Sequence, residues 1–273
     1  MTGTPRLFER CIGIDYSGAA TAETSLKGLR LYQAIGEDDP REVPPPPGPR
    51  KYWTRRALAH WLTEALTGSP PTIVGIDHAF SFPMRYFERH GLAPDWPGFL
   101  DDFCAYWPTD RPDTYVSFIR DGSVGNGAAR TGARRWRRLT EEATGSAKSV
   151  FHFDVQGTVA ASTHAGLPWL RQLRTARPGL HFWPFDGWTP PAGASVIAEV
   201  YPRLWRARYP EEGRTADQHD AYAIARWLND SDRQGTLAAA LAAPGPAQIA
   251  ATARVEGWIL GAAWPPAGTT RPG

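Results

Sequence analysis

Two short apolar runs carry the clearest pattern in the chain. Cys11-Ile-Gly-Ile14 and Thr72-Ile-Val-Gly-Ile76 each end in the same triplet, Gly-Ile-Asp, which places Asp15 and Asp77 last. A run that is apolar at every position predicts a strand covered on both faces. Between them, Leu29, Leu31 and Ile35 alternate with Arg30, Tyr32 and Ala34, the period of a half-buried antiparallel strand, so the chain opens as a hairpin. Residues 50–67 predict a helix, with Trp53, Ala57, Leu58, Trp61, Leu62 and Leu66 on one face and Gly68 as its stop. The Pro44–Pro47 run before it reads as a stiff surface connection.

Residues 84–180 change character. Trp96, Phe99, Leu100, Phe103 and Trp107 follow helical spacing, Gly122–Gly132 reads as loop, and 156–175 reads as a helix interrupted near Gly166-Leu-Pro168. Residues 195–200 return to an apolar strand. Thr215–Leu228 predicts a helix with Ala221, Ile224, Ala225 and Leu228 on its buried side, and a last helix spans 246–263. Strands separated by helices give an α/β sheet. The expected organisation is a core at 1–83 and 181–263, a mainly helical insertion at 84–180, and a tail at 264–273.

Composition narrows the picture. The chain has 273 residues and a formal net charge of +2, so no global basic field advertises nucleic acid. Lysine occurs only at Lys27, Lys51 and Lys148; the remaining positive charge is arginine, which suits bidentate phosphate contact and also fits an arginine-favouring coding bias. Two cysteines, Cys11 and Cys104, make neither a disulfide framework nor a zinc site. No apolar stretch has the length of a membrane span, and no signal peptide is recognisable, which sets the expectation of a cytoplasmic protein.

The acids carry the candidate chemistry. Besides Asp15 and Asp77, Glu199 sits within the late apolar strand, and Asp217 and Asp220 lie three apart on the late helix, one turn from each other. A carboxylate at the end of an apolar strand is unfavourable to bury unless something binds it, and several converging would repel unless a cation sits among them. That reasoning points to Mg²⁺ or Mn²⁺ held by carboxylate oxygens among these acids, and to hydrolysis of phosphodiesters. Plainer readings exist: turn capping for Asp15 and Asp77, helix capping for Asp217, and an arginine partner, with Arg203 as candidate, for Glu199.

The motifs Gly13-Ile-Asp-Tyr-Ser-Gly18, Gly75-Ile-Asp-His-Ala-Phe-Ser-Phe-Pro83, Trp183-Pro-Phe-Asp-Gly187, Glu199-Val-Tyr-Pro202, Asp217-Gln-His-Asp-Ala-Tyr-Ala223 and Glu256-Gly-Trp-Ile259 occur in order along nearly the whole chain. Together they resemble the domain of unknown function 429 family, predicted nucleases of the ribonuclease H-like superfamily. The resemblance implies a five-stranded ribonuclease H-like mixed sheet flanked by helices, with Asp15 on the central strand. It also implies a two-metal nuclease site in which Asp15 bridges the ions, Asp77, Glu199 and Asp220 complete their ligands, and Asp217 either binds an ion directly or supports a ligand, with His78 or His219 as proton carriers.

Arg130, Arg134, Arg135, Arg137 and Arg138 crowd around Trp136. Such a cluster either grips a nucleic-acid backbone and stacks a base, or is a solvated face paired with Glu141 and Glu142. Two rival classes stay open. An actin-like ATPase or phosphotransferase would bind a nucleotide at Asp15-Tyr-Ser-Gly18, although no second phosphate loop or adenosine motif follows. A non-catalytic domain would use the same fold to bind nucleic acid or protein.

Overall fold

A computed structural model of the chain describes residues 6–68, 70–154 and 159–264. All of the expected 264–273 tail except Trp264, and the expected helix start at 156–158, lie outside the described residues. The strands are β1 (Arg10–Asp15), β2 (Arg30–Ile35), β3 (Arg41–Glu42), β4 (Thr72–Asp77), β5 (His181–Trp183) and β6 (Val196–Glu199). They form one mixed sheet in the order β3-β2-β1-β4-β6-β5. The hairpin side is antiparallel, while β1, β4, β6 and β5 run parallel. The fold is α/β with helices on both faces. It has six strands rather than five, the additional edge strand being the two-residue β3.

Helices fill the space between the strands. α1 (Arg55–Ala65) connects β2 and β3 to β4. α2 (Met84–His90), α3 (Trp96–Tyr106), α4 (Val116–Arg120), α5 (Leu139–Thr144) and α6 (Val159–Ala176) lie between β4 and β5. α7 (Ala216–Arg233), α8 (Leu237–Ala240) and α9 (Ala247–Glu256) follow β6. None of these is long and apolar enough to cross a membrane. Ile12, Ile14, Val74, Ile76 and Ile197 share one cluster of buried side chains with Phe82, Phe99, Phe103 and Leu167. The helical segment between β4 and β5 therefore completes the core on one face of the sheet.

α6 runs unbroken through Pro168, against the expected interruption. A proline cannot donate to the carbonyl four residues earlier, which is that of His164. Here the Thr109 hydroxyl donates to that carbonyl instead, at 2.6 Å. The last helix is shorter than expected. It ends at Glu256 because Gly257 takes φ +80°, a left-handed conformation that favours glycine.

The other face belongs to α7, and the repeated Gly-Ile-Asp triplet explains why. Side chains alternate along a strand, so Gly13 and Gly75 lie on the same face as Asp15 and Asp77, two residues on. A Cβ on Gly13 would stand 2.3 Å from the Ala221 carbonyl oxygen and 2.5 Å from the Ala225 nitrogen; one on Gly75 would stand 2.8 Å from Ile224. The two glycines and two alanines let α7 lie with its backbone against the sheet. That contact carries the start of α7 over the ends of β1 and β4.

Candidate functional site

β1 and β4 pair in parallel with Asp15 directly opposite Asp77. Adjacent strands lie about 4.8 Å apart, so two carboxylates stand side by side on the α7 face at the carboxyl edge of the sheet. Ligands of open α/β sheets sit at this edge. α7 is started by Thr215, whose hydroxyl accepts from the Gln218 N–H in a capping box, so Asp217 is not the cap. Asp217 faces the turn between β1 and β2, where a Cβ on Gly28 would meet its Oδ2 at 3.7 Å. Asp220 sits one turn further on and is bonded to Arg206 Nη1 at 3.0 Å.

The electrostatics follow from this crowding. Burial pushes the Asp15 carboxyl well above the usual carboxylate range, and repulsion from Asp77, Asp220 and Asp217 adds to the rise. Asp77 is raised by burial, then by Asp220 and Glu199. Asp220 is raised by burial, with Arg206 pulling the other way. No described residue donates a hydrogen bond to the Asp15 or Asp77 carboxylate.

Glu199 lines the same cavity as Asp15 and Asp77 but reaches it from the other face of the sheet. β6 pairs with β4 so that Glu199 is opposite Ile76, one position before Asp77. Its side chain therefore leaves the sheet on the opposite face from Asp15 and Asp77. There both of its oxygens accept from Arg138, at 2.6 and 2.7 Å. Two sequence-based assignments are corrected by this pair. Glu199 is engaged in a structural ion pair rather than left open for a metal, since both its oxygens accept from a guanidinium and Oε2 also accepts from the Phe80 N–H at 3.3 Å. Arg138 is not available to a nucleic acid, because it is only 1% exposed and is also bonded to Glu141 at 2.9 Å. Glu199 does have an arginine partner, but Arg138 from the helical segment rather than the exposed Arg203.

The rest of the arginine cluster is dispersed. Arg137 donates to the Glu141 carbonyl and, at 2.7 Å, to the Ala147 carbonyl. Trp136 packs edge-on against Phe151 with Arg85 over its ring, so it is a packing residue rather than an open stacking platform. Arg130 is paired with Asp102. Arg134 and Arg135 stay at the surface, Arg134 with Asp154 at 3.0 Å.

Sequence reasoning missed the clamp around Arg138. Glu256 accepts from the Met84 N–H at 2.6 Å and the Leu139 N–H at 2.7 Å, tying the starts of α2 and α5 to the end of α9. A Cβ on Gly257 would crowd Phe185 at 3.1 Å and touch Arg138 at 3.4 Å and Glu199 at 3.5 Å, and the Ile259 N–H donates to the Thr140 hydroxyl. The Glu256–Ile259 motif is thus structural. The Arg138-x-x-Glu141 spacing was the available signal.

Of the candidate proton carriers, His78 is held neutral: burial lowers it to about 4, and its Nδ1–H donates to the Ala79 carbonyl at 2.9 Å. His219 Nε2–H donates to the Arg206 carbonyl. Asp15 and Asp77 open into a cavity of about 150 Å³, whose far wall comes from the segment between β4 and β5 and includes Lys148 and Ser162.

Among the described residues, no three His, Cys, Asp or Glu side chains converge on a single ion. The donor chemistry still fits a hard cation. Mg²⁺ commonly takes one or two carboxylates and fills its remaining positions with water and phosphate oxygens. Asp15 and Asp77 supply such a pair, and their mutual repulsion falls when a cation binds. No protein-family model, curated protein or solved structure matches the chain. The likeness to the domain of unknown function 429 family therefore rests on its motifs.

Proposed function

We propose that the protein is a metal-dependent hydrolase of phosphodiesters, with nucleic acid as substrate and a ribonuclease H-like core as scaffold. One observation carries the reading: Asp15 and Asp77 stand side by side at the carboxyl edge of a parallel sheet, raised by burial and by neighbouring carboxylates, with no described residue donating to either. Structural carboxylates in the same protein are treated differently, as Glu199, Glu141 and Glu256 show.

Asp15 and Asp77 would hold Mg²⁺ or Mn²⁺. A bound divalent ion supplies charge neutralisation at the phosphate and a water of lowered pKa. Both carboxylates line the cavity and would present their oxygens to the ion there. Asp217, beside Gly28 of the β1–β2 turn, would order a water at the edge of the site. Arg206 holds Asp220 and balances charge beside the pair. The two-ion arrangement expected from the sequence would require Asp220 to exchange Arg206 for metal.

The nucleotide-binding alternative is disfavoured by the turn after Asp15. A Cβ on Gly18 would stand 2.2 Å from the Ala161 backbone, so this glycine serves packing against α6. The carbonyls of Ser17, Ala19 and Ala20 are turned to Arg55, and a turn organised around a buried cation is not an anion cradle.

The test is cleavage of mixed-sequence RNA and DNA by purified protein in Mn²⁺, Mg²⁺ and EDTA, with Asp77→Asn as control. Metal-dependent cleavage lost in a folded Asp77→Asn supports the reading. Equal cleavage by that variant removes it.

A further inference from the structure

The cavity over Asp15 and Asp77 has two unlike walls. One is the sheet edge with its carboxylates. The other is built by the segment between β4 and β5 and presents Lys148 and Ser162. This second wall is fastened at several points. Arg138 is bonded to Glu199, Glu256 holds the Leu139 N–H, the Ser162 hydroxyl donates to the Tyr16 carbonyl at 2.9 Å, and the α6 backbone lies against Gly18. Buried, multiply bonded contacts of this kind do not give way to an incoming ligand without large loss of stability.

The space between the walls is small. About 150 Å³ is below the range of roughly 300–1,000 Å³ usual for small-molecule sites. A volume of this size holds a phosphate group with little room beside it. Charge points the same way. Lys148 is exposed, lines the cavity, and forms no ion pair with a described residue. The other cation in the lining, Arg138, is neutralised by two glutamates. Lys148 is thus the cationic group on the wall facing the acids that is left for an anion, and an ammonium binds phosphate as a point charge without demanding a fixed orientation.

We infer that this site admits a phosphodiester only within a single strand or at a strand end, contacted by Lys148, and excludes it within a duplex. The inference rests on the phosphodiesterase reading above and narrows its substrate.

The experiment uses the full chain in Mn²⁺ and unstructured oligonucleotides roughly 12 nucleotides long, one of uridine and one of thymidine, each alone and annealed to its complement. Binding is read by fluorescence anisotropy across a salt series, and cleavage by gel. The single strand is expected to bind at least about tenfold more tightly than the duplex. Lys148→Ala should weaken single-strand binding and flatten its logarithmic salt slope by about 0.7, the value for one phosphate contact on a single strand. Lys148→Arg should restore the slope, which a merely structural role for the side chain would not produce. Duplex bound or cleaved as well as single strand overturns the inference, and so does an unchanged salt slope in Lys148→Ala. Mn²⁺ binding to the same samples, measured separately, distinguishes the two levels. If Mn²⁺ binds and the strand results fail, only this inference falls; if Mn²⁺ does not bind, the parent reading falls with it.

Discussion

The carboxyl edge of the sheet holds acids of two kinds. Asp15 and Asp77 emerge on the α7 face, beside each other, with no described residue donating to either carboxylate. Glu199 emerges one register position earlier on the opposite face and is closed by Arg138 through two hydrogen bonds. All three are acids at or near the end of an apolar strand. What separates them is the register, because a one-residue offset moves a side chain to the other face. On one face the partner is a helix brought close by glycine and alanine. On the other it is an arginine carried in by the helical segment. Crowded acids without donors are suited to a ligand; acids with donors hold the fold.

Breaking the Glu199 side has the largest expected structural effect. Arg138→Met leaves Glu199 and Glu141 buried without their common cation, and a buried pair broken on one side loses about 3–5 kcal/mol. Chemical denaturation should show this as a lower midpoint, and a loss under about 1 kcal/mol would mean the pair is not the clamp. Next is Gly13→Ala. The added methyl meets the α7 backbone, so a loss of about 1–3 kcal/mol is expected from overpacking. Mn²⁺ affinity should fall with it, because α7 is displaced from the strand ends; stability lost without a change in Mn²⁺ affinity would break the proposed link between packing and site.

Asp15→Asn should act in the opposite direction. A carboxyl raised in the folded state stabilises the fold when protonated; that contribution is full below its unfolded value near 3.8 and is lost as pH rises through the raised folded value. The metal-free protein should therefore weaken as pH increases above that unfolded value. Asp15→Asn should flatten this dependence and raise Tm at pH 7, by roughly 2–4 °C for each kcal/mol of repulsion relieved. Calorimetric scans between pH 5 and pH 8 check both, and an Asp15→Asn protein less stable than its parent at every pH would contradict them. The smallest effect belongs to Arg134→Gln with Arg135→Gln, which should change stability by no more than about 0.5 kcal/mol, as exposed substitutions usually do.

Much of the fold was legible in the chain. The parallel strands, α1 and α7 follow from apolar runs and helical spacing, and the doubled Gly-Ile-Asp identified the two acids that meet. Other features required three-dimensional information. The interruption expected at Pro168 disappears because a hydroxyl from Thr109, distant in sequence, takes the proline's place as donor. The partner of Glu199 could be expected to be an arginine, but choosing Arg138 over Arg203 depends on where the helical segment docks. The arginine-rich stretch around Trp136 looks uniform in sequence, yet its members divide into a buried ion pair, carbonyl donors and surface charges. Local composition does not record which side of a chain faces inward when the segment has no regular period.

The central claim is that Asp15 and Asp77, and not Glu199, form the cation site. Isothermal titration of Mn²⁺ into the parent protein, Asp15→Asn, Asp77→Asn and Glu199→Gln at pH 7.5 tests it directly. Binding that is present in the parent, retained in a folded Glu199→Gln and lost in both aspartate variants is the expected result, with protons released to the buffer as the raised carboxyls ionise. Binding that survives in Asp15→Asn, or that disappears in a folded Glu199→Gln, would contradict it.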